Sequence, residues 1–198
     1  MHKLTFHNLG NADCIRIDLE NGKKILFDYA DRRDPGDSSD LKCDLPKELR
    51  EDLDGRRYYD VVAFTHLDKD HYGGSTKFFR FDHISKYQDD VEGEARVEMR
   101  QLWVPAGVIV ETLGADATDE AKEIQIEARE RFKAKKGILV FSRPKSLDNW
   151  CKQNGVDIDD RQELIVNAGQ KVPGLSPAKD DVEFFVHSPF SIRQSDST

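Results

Sequence analysis

The sequence predicts a mixed fold of the α/β or α+β class, in which a sheet packs against helices. Three strand patterns come first, and helical and strand patterns then alternate along the rest of the chain. The chain has 198 residues, which is enough for one large domain whose core needs no disulfide bonds. We therefore predict a single domain over residues 1–190, followed by a polar tail over residues 191–198.

The first three strands are predicted from alternation and from one turn signal. Apolar and polar residues alternate in "CIRIDL" (14–19), and "KLTFHNL" (3–9) shows a weaker alternation. Asn21-Gly22 separates "CIRIDL" from "KKILFDYA" (23–30), and both residues tolerate the positive φ of a type I′ hairpin turn. The sequence therefore predicts an antiparallel hairpin across residues 14–30.

The middle of the chain contains a buried strand between polar segments. The run "YYDVVAFT" (58–65) is typical of a strand that is buried on both faces. Before it, "PKELREDL" predicts a short helix that ends at Gly55. After it, Ser75 is placed to cap a short helix through "TKFFRF", whereas residues 82–100 are polar and show no clear pattern.

The last third alternates helices and strands. The clearest helix is "ATDEAKEIQIEARERFKAKKG" (117–137), in which Ala121, Ile124, Ala128 and Phe132 follow a three-to-four spacing. A second helix, "SLDNWCKQNG", is predicted with Ser146 as its N-cap and Gly155 at its end. The remaining predicted strands are "QLWVPA" (101–106), "ILVF" (138–141), "ELIVNAGQKV" (163–172) and "DVEFFVHS" (181–188).

The composition excludes several classes of partner. A net charge of −8 disfavours a broad, sequence-independent grip on nucleic acid, although an enzyme that meets phosphates through bound cations is still allowed. The three cysteines are odd in number and lack CxxC spacing, which predicts reduced thiols and a cytoplasmic location. The N-terminus has no apolar signal region, and no apolar run approaches the roughly 20 residues of a membrane span, so no membrane partner is expected.

The segment "FTHLDKDHYGG" (64–74) places His66, Asp68, Asp70 and His71 within six positions. An acidic loop after a strand is often only a solvated turn. Here, however, four ligand-type side chains stand between a buried strand and two glycines, and we favour metal binding. Imidazole and carboxylate ligands suit zinc, manganese or iron. Cations between the carboxylates would also offset their mutual repulsion.

This segment resembles the HxHxDH signature of the metallo-β-lactamase fold, with its usual glycine pair and with Asp68 in place of the second histidine. The form is similar to the metallo-hydrolase domain of bacterial competence proteins, which act in DNA uptake. The segment "FHNLGNADCIRIDLENGKKILFDYAD" (6–31) is similar to the first strands of that family, which end at an aspartate, here Asp28. The resemblance spans roughly residues 3–190 and is strong only at these two segments.

The resemblance implies an αββα sandwich with one or two divalent metal ions, zinc or manganese, at a sheet edge. By this likeness His66 and Asp68 would bind one metal, and Asp70 and His71 the other. Asp28 would brace the loop by hydrogen bonds. His187, after a late apolar strand, stands where the family has a third histidine; a metal ligand and a structural histidine beside a proline turn are both open for it.

Two departures from the family affect the prediction. Asp68 gives a site richer in oxygen, which shifts the expected metal toward manganese. The chain also ends eleven residues after His187 without the family's later aspartate–histidine pair. Either the chain is the N-terminal portion of a longer protein, or a further domain or second chain completes the site, or the site is incomplete and serves only for binding.

The predicted function is that of a metal-dependent hydrolase that cleaves phosphodiester bonds with metal-activated water. Asp70 is the predicted catalytic residue, because its carboxylate would orient that water or take its proton. Another small hydrolysable substrate is also allowed, and nucleic acid is one compatible substrate. The alternative is a catalytically incomplete metallo-fold that acts as a binding or interaction module.

Overall fold

The computed structural model describes residues 1–84 and 95–187, and within them all strands belong to one mixed sheet. Its spatial order is β1-β2-β3-β4-β6-β7-β8, and β5 pairs with β6 outside this path. The strands are β1 (Lys3–Phe6), β2 (Ile15–Asp18), β3 (Lys24–Phe27), β4 (Tyr58–Ala63), β5 (Phe79–Arg80), β6 (Val97–Pro105), β7 (Ile138–Phe141) and β8 (Ile165–Val166).

The sheet changes from antiparallel to parallel pairing at β3. Strands β1, β2 and β3 form an antiparallel meander, and β3, β4, β6, β7 and β8 run parallel to one another. The helices are α1 (Leu45–Leu53), α2 (Lys69–Tyr72), α3 (Ser75–Phe78), α4 (Ala106–Val110), α5 (Asp119–Ala134), α6 (Lys145–Gln153) and α7 (Pro177–Asp180), with a 3-10 helix at Asp159–Leu164. The predicted mixed class is confirmed.

The two faces of the sheet are covered differently. On one face, strand residues such as Val62 and Leu102 pack against buried side chains of α1 to α6. On the other face, Trp103 and its neighbours pack against the segment that follows β8, including Val172 and Val186. Strand β4 is largely buried on both faces, as the sequence predicts, and so is the second half of β6, whereas Glu98 and Arg100 in the first half of β6 are exposed.

Helix α5 has the clearest sequence signals and forms as predicted. Thr118 is its N-cap, and the Thr118 side chain accepts a hydrogen bond from the Ala121 N–H group. The predicted face is buried, with Ala121, Ile124, Ala128 and Phe132 all at most 3% exposed. This stripe lies against the helix-covered face of the sheet.

The hairpin between β2 and β3 forms, but its turn differs from the predicted type I′. Only Gly22 has positive φ, at 86°, and the Gly22 N–H group donates to the Leu19 carbonyl. The Leu19 N–H group donates to Lys23, so the loop has one residue more than a type I′ turn. This is a type I turn closed by a left-handed glycine, which needs positive φ at one position instead of two.

Two predicted N-caps are wrong. Gly74, with φ of 84°, stands at the N-cap of α3, and that helix ends at Phe78 because Phe79 pairs with β6. Helix α6 begins at Lys145 instead of after Ser146, because the Leu147 N–H group already donates to the Pro144 carbonyl.

The region after β7 forms less strand than the sequence predicts. The predicted strand at 163–172 begins inside the 3-10 helix and reduces to two residues, Ile165–Val166. Gly169, with φ of 85°, turns the backbone out of an extended path. In the predicted strand at 181–188, the described residues make an isolated bridge between Lys171 and Phe185. Ser188 and the predicted tail at 191–198 lie outside the described residues.

One buried carboxylate links the hairpin turn to this late segment. Asp180 in α7 accepts hydrogen bonds from the Asn21 amide, at 2.8 Å, and from the Ser176 N–H group, at 2.9 Å, and its carboxylate lies 2.6 Å from Lys23 Nζ. Lys23, the Ser176 N–H group and Asn21 together lower the pKa of Asp180 to about 2.

We expect this carboxylate to stabilise the fold in a pH-dependent way. Its pKa is lower in the folded chain than in the unfolded chain, so the stabilisation is complete above about pH 4 and disappears as the pH falls toward 2. Asp180→Asn should therefore lower the free energy of unfolding by about 1–2 kcal/mol at neutral pH. Urea unfolding should show this difference vanishing by pH 2; a difference that persists unchanged there would contradict the assignment.

Among the described residues, no helix is long and apolar enough to cross a lipid bilayer.

Candidate metal centre

The candidate site lies at the edge of the sheet where the parallel strands end. Asp28 directly follows β3, and Thr65 and His66 follow β4 after one intervening residue, Phe64. Because parallel neighbours end at the same edge, these side chains meet there. This edge is where open α/β sheets usually bind their ligands.

The loop geometry explains the two glycines. After Asp68 the chain forms the single helical turn α2, in which the His71 N–H group donates to the Asp68 carbonyl at 2.9 Å. A Cβ atom on Gly73 would lie 2.8 Å from the Lys69 carbonyl oxygen, and Gly74 has a positive φ of 84°. Larger residues at these two positions would therefore open the turn that holds His71 in place.

Three of the predicted ligands come together. His66, Asp70 and His71 each offer a ligand atom, and these atoms lie within 4.8 Å of one another. The two imidazole rings are 3.7 Å apart between centroids, and Asp70 Oδ2 is 3.7 Å from His71 Nε2. His66 is exposed, Asp70 is partly buried and His71 is buried. The group therefore opens to solvent on the His66 side.

The other two predicted ligands lie outside this group. Asp68 Oδ2 is 3.3 Å from His66 Nε2, but the Asp68 side chain is 74% exposed and points into solvent beside the group. His187 lines an apolar groove together with Thr65, and its ring is 5.0 Å from that of Phe185. A metal-binding role for either residue stays a prediction.

Asp13 is a site residue that the sequence reasoning missed. Its Oδ2 lies 3.8 Å from His71 Nε2, and its N–H group donates to the Asp70 carbonyl at 3.2 Å. The predicted hairpin could have indicated that Asp13 lies at the site. In an antiparallel pair the start of β2 lies beside the end of β3, where Ile15 faces Phe27. That register places Asp13 next to Asp28.

Asp28 makes the bracing hydrogen bonds that the family resemblance implies. Its carboxylate accepts from the Thr65 N–H group at 2.7 Å, from Thr65 Oγ1 at 2.7 Å and from His71 Nδ1 at 2.9 Å. The residue is 4% exposed and adopts a left-handed conformation with φ of 56°. With Nδ1 donating to Asp28, the Nε2 lone pair of His71 faces Asp70 and Asp13.

This arrangement fits a divalent cation. A histidine ligand usually donates its second ring N–H to a carboxylate, which fixes the tautomer and orients the ring. Asp28 does this for His71, and Asp70 and His66 lie close enough to share the same ion. Nitrogen and oxygen donors without sulfur suit manganese or zinc.

Asp28→Asn should weaken metal binding without unfolding the protein. Asparagine tolerates positive φ, but its amide can donate to His71 Nδ1 and would then move the ring proton to Nε2, where it blocks the ligand lone pair. We expect the affinity for Mn²⁺ to fall by roughly 10–100-fold in titration calorimetry. Asp60→Asn is the matched control and should leave the affinity unchanged, because Asp60 lies within β4, pairs with Arg56 and does not belong to the ligand group. An Asp28→Asn variant with wild-type affinity would refute the bracing role.

A cationic cleft borders the same loop. It has a volume of about 870 Å³, and the buried rings of Tyr29 and Phe78 lie behind its lining. Two carboxylates, Asp31 and Glu120, line the cleft as well. The cationic side chains that line it are Arg32, Arg33, Arg50, Lys69, Lys77 and Arg96.

The cleft retains positive charge after its internal contacts are counted. The Glu120 carboxylate accepts hydrogen bonds from the Gly74 N–H group and from Thr76 Oγ1. Partial burial raises the pKa of Asp31, against the lowering effect of the Arg33 N–H group. Lys69 and Lys77 are exposed, and neither forms an ion pair within the described part of the chain. The cleft therefore favours anions although the whole chain carries a net charge of −8.

Comparisons with models of known protein families, with curated proteins and with solved structures find no match to this chain.

Proposed function

We propose that this protein is a metal-dependent hydrolase that acts on phosphodiester bonds. The observation that carries the proposal is the meeting of His66, Asp70 and His71 at a strand-end edge, with His71 oriented by the buried carboxylate of Asp28. A structural histidine needs no such neighbours. Two imidazoles and a partly exposed carboxylate that face one another and solvent form a ligand set.

The residues of the site would have different roles in binding the cation and positioning water. His66, Asp70 and His71 would hold the cation, with Asp68 and Asp13 able to approach from the solvent side. A bound divalent ion supplies Lewis acidity, which lowers the pKa of water toward about 7 and offsets charge on a phosphate. Asp70 would hold that water by a hydrogen bond or accept its proton, because its carboxylate is the partly exposed one in the group.

The cationic cleft supports phosphodiesters as the substrate class. Lys69 lies between Asp68 and Asp70, so the cleft and the ligand group share one loop. Exposed lysine and arginine side chains can bind the successive phosphates of a nucleic-acid backbone. Single-stranded nucleic acid offers such a row of phosphates and is the substrate we propose.

The sheet supports a relation to the metallo-β-lactamase sandwich. An antiparallel meander leads into parallel strands, the helices α1 to α6 cover one face, and the ligand loop follows a central strand. We propose that this sheet and its helices correspond to one sheet-and-helix half of such a sandwich. The second sheet of the sandwich is not among the strands of residues 1–84 and 95–187.

Hydrolysis of single-stranded DNA and of a generic phosphodiester tests this function. The protein is first stripped with chelator and then assayed with Mn²⁺, with Zn²⁺ and with chelator alone. Metal-dependent turnover of either substrate is the expected result. Tight metal binding with no turnover of any phosphodiester would favour the alternative, a metallo-fold that serves as a binding module.

A further inference from the structure

A second group of metal-ligand side chains lies apart from the His66 loop. His7 follows β1, Cys43 precedes α1, and Glu48 lies in the first turn of that helix. One ligand atom from each residue lies within 4.8 Å of the other two. The hydrogen bond from the Cys43 N–H group to the Asn8 carbonyl, at 2.9 Å, holds the loop of Cys43 beside the strand end of His7.

The contacts within this group are close and largely shielded from water. The His7 side chain is 1% exposed, and its Nδ1 lies 2.9 Å from Glu48 Oε2. The Cys43 sulfur lies within 4.8 Å of the same carboxylate. Burial, together with the nearby Glu48 charge, raises the pKa of Cys43 to about 11, so the thiol is protonated at neutral pH when nothing else binds it.

The imidazole of His7 has one further property that bears on ligand binding. Its Nε2 atom is buried and has no hydrogen-bond partner within the described residues. One ring nitrogen is therefore left unpaired in either neutral tautomer. When the ring proton moves from Nδ1 to Nε2, Nδ1 becomes free to bind a metal. Nε2 is unpaired before and after this move, so the move adds little to the free-energy cost of the unpaired nitrogen.

We propose that His7, Cys43 and Glu48 form a zinc site, independent of the function proposed above. Thiolate, imidazole and carboxylate are the three ligand types that zinc uses in proteins, and a thiolate favours zinc over manganese or magnesium. Nitrogen and oxygen ligands stand about 3.3–3.4 Å apart around tetrahedral zinc, so the 2.9 Å contact of His7 with Glu48 opens only slightly. The Glu48 side chain is 46% exposed, which leaves the fourth position to water.

Zinc binding at this site is accompanied by proton release. The Cys43 thiol loses its proton to solvent when the sulfur–zinc bond forms, the His7 ring proton moves to Nε2, and the Glu48 carboxylate exchanges its hydrogen bond with His7 for the metal. The ion then joins the end of β1 to the start of α1, two elements that are 41 residues apart at His7 and Glu48. This link stabilises the folded chain because the unfolded chain does not hold the three ligands together.

Cobalt substitution tests the site, since sulfur gives Co²⁺ a thiolate-to-metal charge-transfer band that nitrogen and oxygen ligands do not give. The full chain is stripped with chelator, kept reduced with a non-thiol reductant, and titrated with Co²⁺. We expect the band to saturate at one equivalent and to disappear when Zn²⁺ is added. Cys43→Ser should abolish the band. Glu48→Gln should lower the Co²⁺ affinity by roughly 10–100-fold or more, because the loss of a residue that only supports a ligand already costs that much.

Two further variants separate this site from the others. Cys151→Ser removes a thiol on α6 and should leave the band intact, as should the double variant His66→Ala plus His71→Ala. Far-ultraviolet circular dichroism checks that each variant is folded. A Co²⁺ spectrum without a charge-transfer band, or a band that survives Cys43→Ser, would show that His7, Cys43 and Glu48 form only a hydrogen-bonded cluster.

Discussion

Replacing Asp70 with alanine is expected to lower the metal-dependent hydrolysis of a phosphodiester by at least about 10²–10⁴-fold, the contribution that a positioned general base usually makes. The carboxylate lies 3.7 Å from His71 Nε2 and belongs to the three-residue ligand group. Its loss therefore removes a metal ligand and the group proposed to position water. The turnover of single-stranded DNA at saturating Mn²⁺ measures the effect.

Asp68→Ala is the informative comparison for Asp70. Asp68 is one of the four carboxylates near the loop, but its side chain is 74% exposed and lies outside the three-atom group. We expect a smaller loss of activity for Asp68→Ala than for Asp70→Ala. Equal activity of wild type and Asp70→Ala would place the activity at another site or in a contaminant.

Reversing two charges in the cationic cleft is the second change with a large expected effect. Lys69→Glu plus Lys77→Glu should weaken the binding of single-stranded DNA, because each lysine would neutralise about one phosphate. The dependence of log K on log salt should become less steep by about 1.4, since each phosphate contact on a single strand contributes about 0.7. Fluorescence anisotropy at several salt concentrations, with a catalytically inactive background, gives both quantities.

A matched control separates this local effect from the change in net charge. Lys145 and Lys152 are exposed on α6, away from the cleft, and Lys145→Glu plus Lys152→Glu changes the net charge by the same amount. This control should keep the wild-type salt dependence. A control variant that loses as much affinity as the cleft variant would mean that the cleft is not a specific binding surface.

Much of the fold was predictable where a local pattern and the tertiary structure agree. Helix α5 has its cap, its apolar stripe and its terminal charges in the sequence, and the structure buries that same stripe. Strand β4 is a short run that is apolar except at Asp60, which is typical of a strand buried on both faces. In these elements the local sequence pattern and the tertiary packing favour the same structure, so the pattern alone is enough to predict it.

Elements whose form depends on a distant partner were not predictable. Phe79 leaves a helical segment because Val97 pairs with it, and Val97 lies in a region without a clear pattern. Helix α4, at Ala106–Val110, is a short apolar stretch after a strand that the sequence reasoning left unassigned. The predicted strand at 181–188 has apolar residues because it covers Trp103 and its neighbours, not because it joins the sheet.

The candidate site was predictable to the extent that it lies within one loop. His66, Asp70 and His71 are close in sequence, so their meeting required only a turn. Strand register and the docking of α1 determine where Asp13 lies and how His7, Cys43 and Glu48 meet. Neither can be predicted from single residues. The cationic cleft likewise joins segments more than sixty residues apart, from Arg32 to Arg96.

The number of manganese ions bound per chain tests the central claim most directly. Elemental analysis is made on the purified full chain after saturation with Mn²⁺ and removal of free metal; manganese is chosen because the thiolate group at Cys43 disfavours it. We predict at least one ion per chain in the wild type and in the control His2→Ala, and none in His66→Ala plus His71→Ala. A wild type without manganese, or a double variant with an undiminished content, would contradict the account.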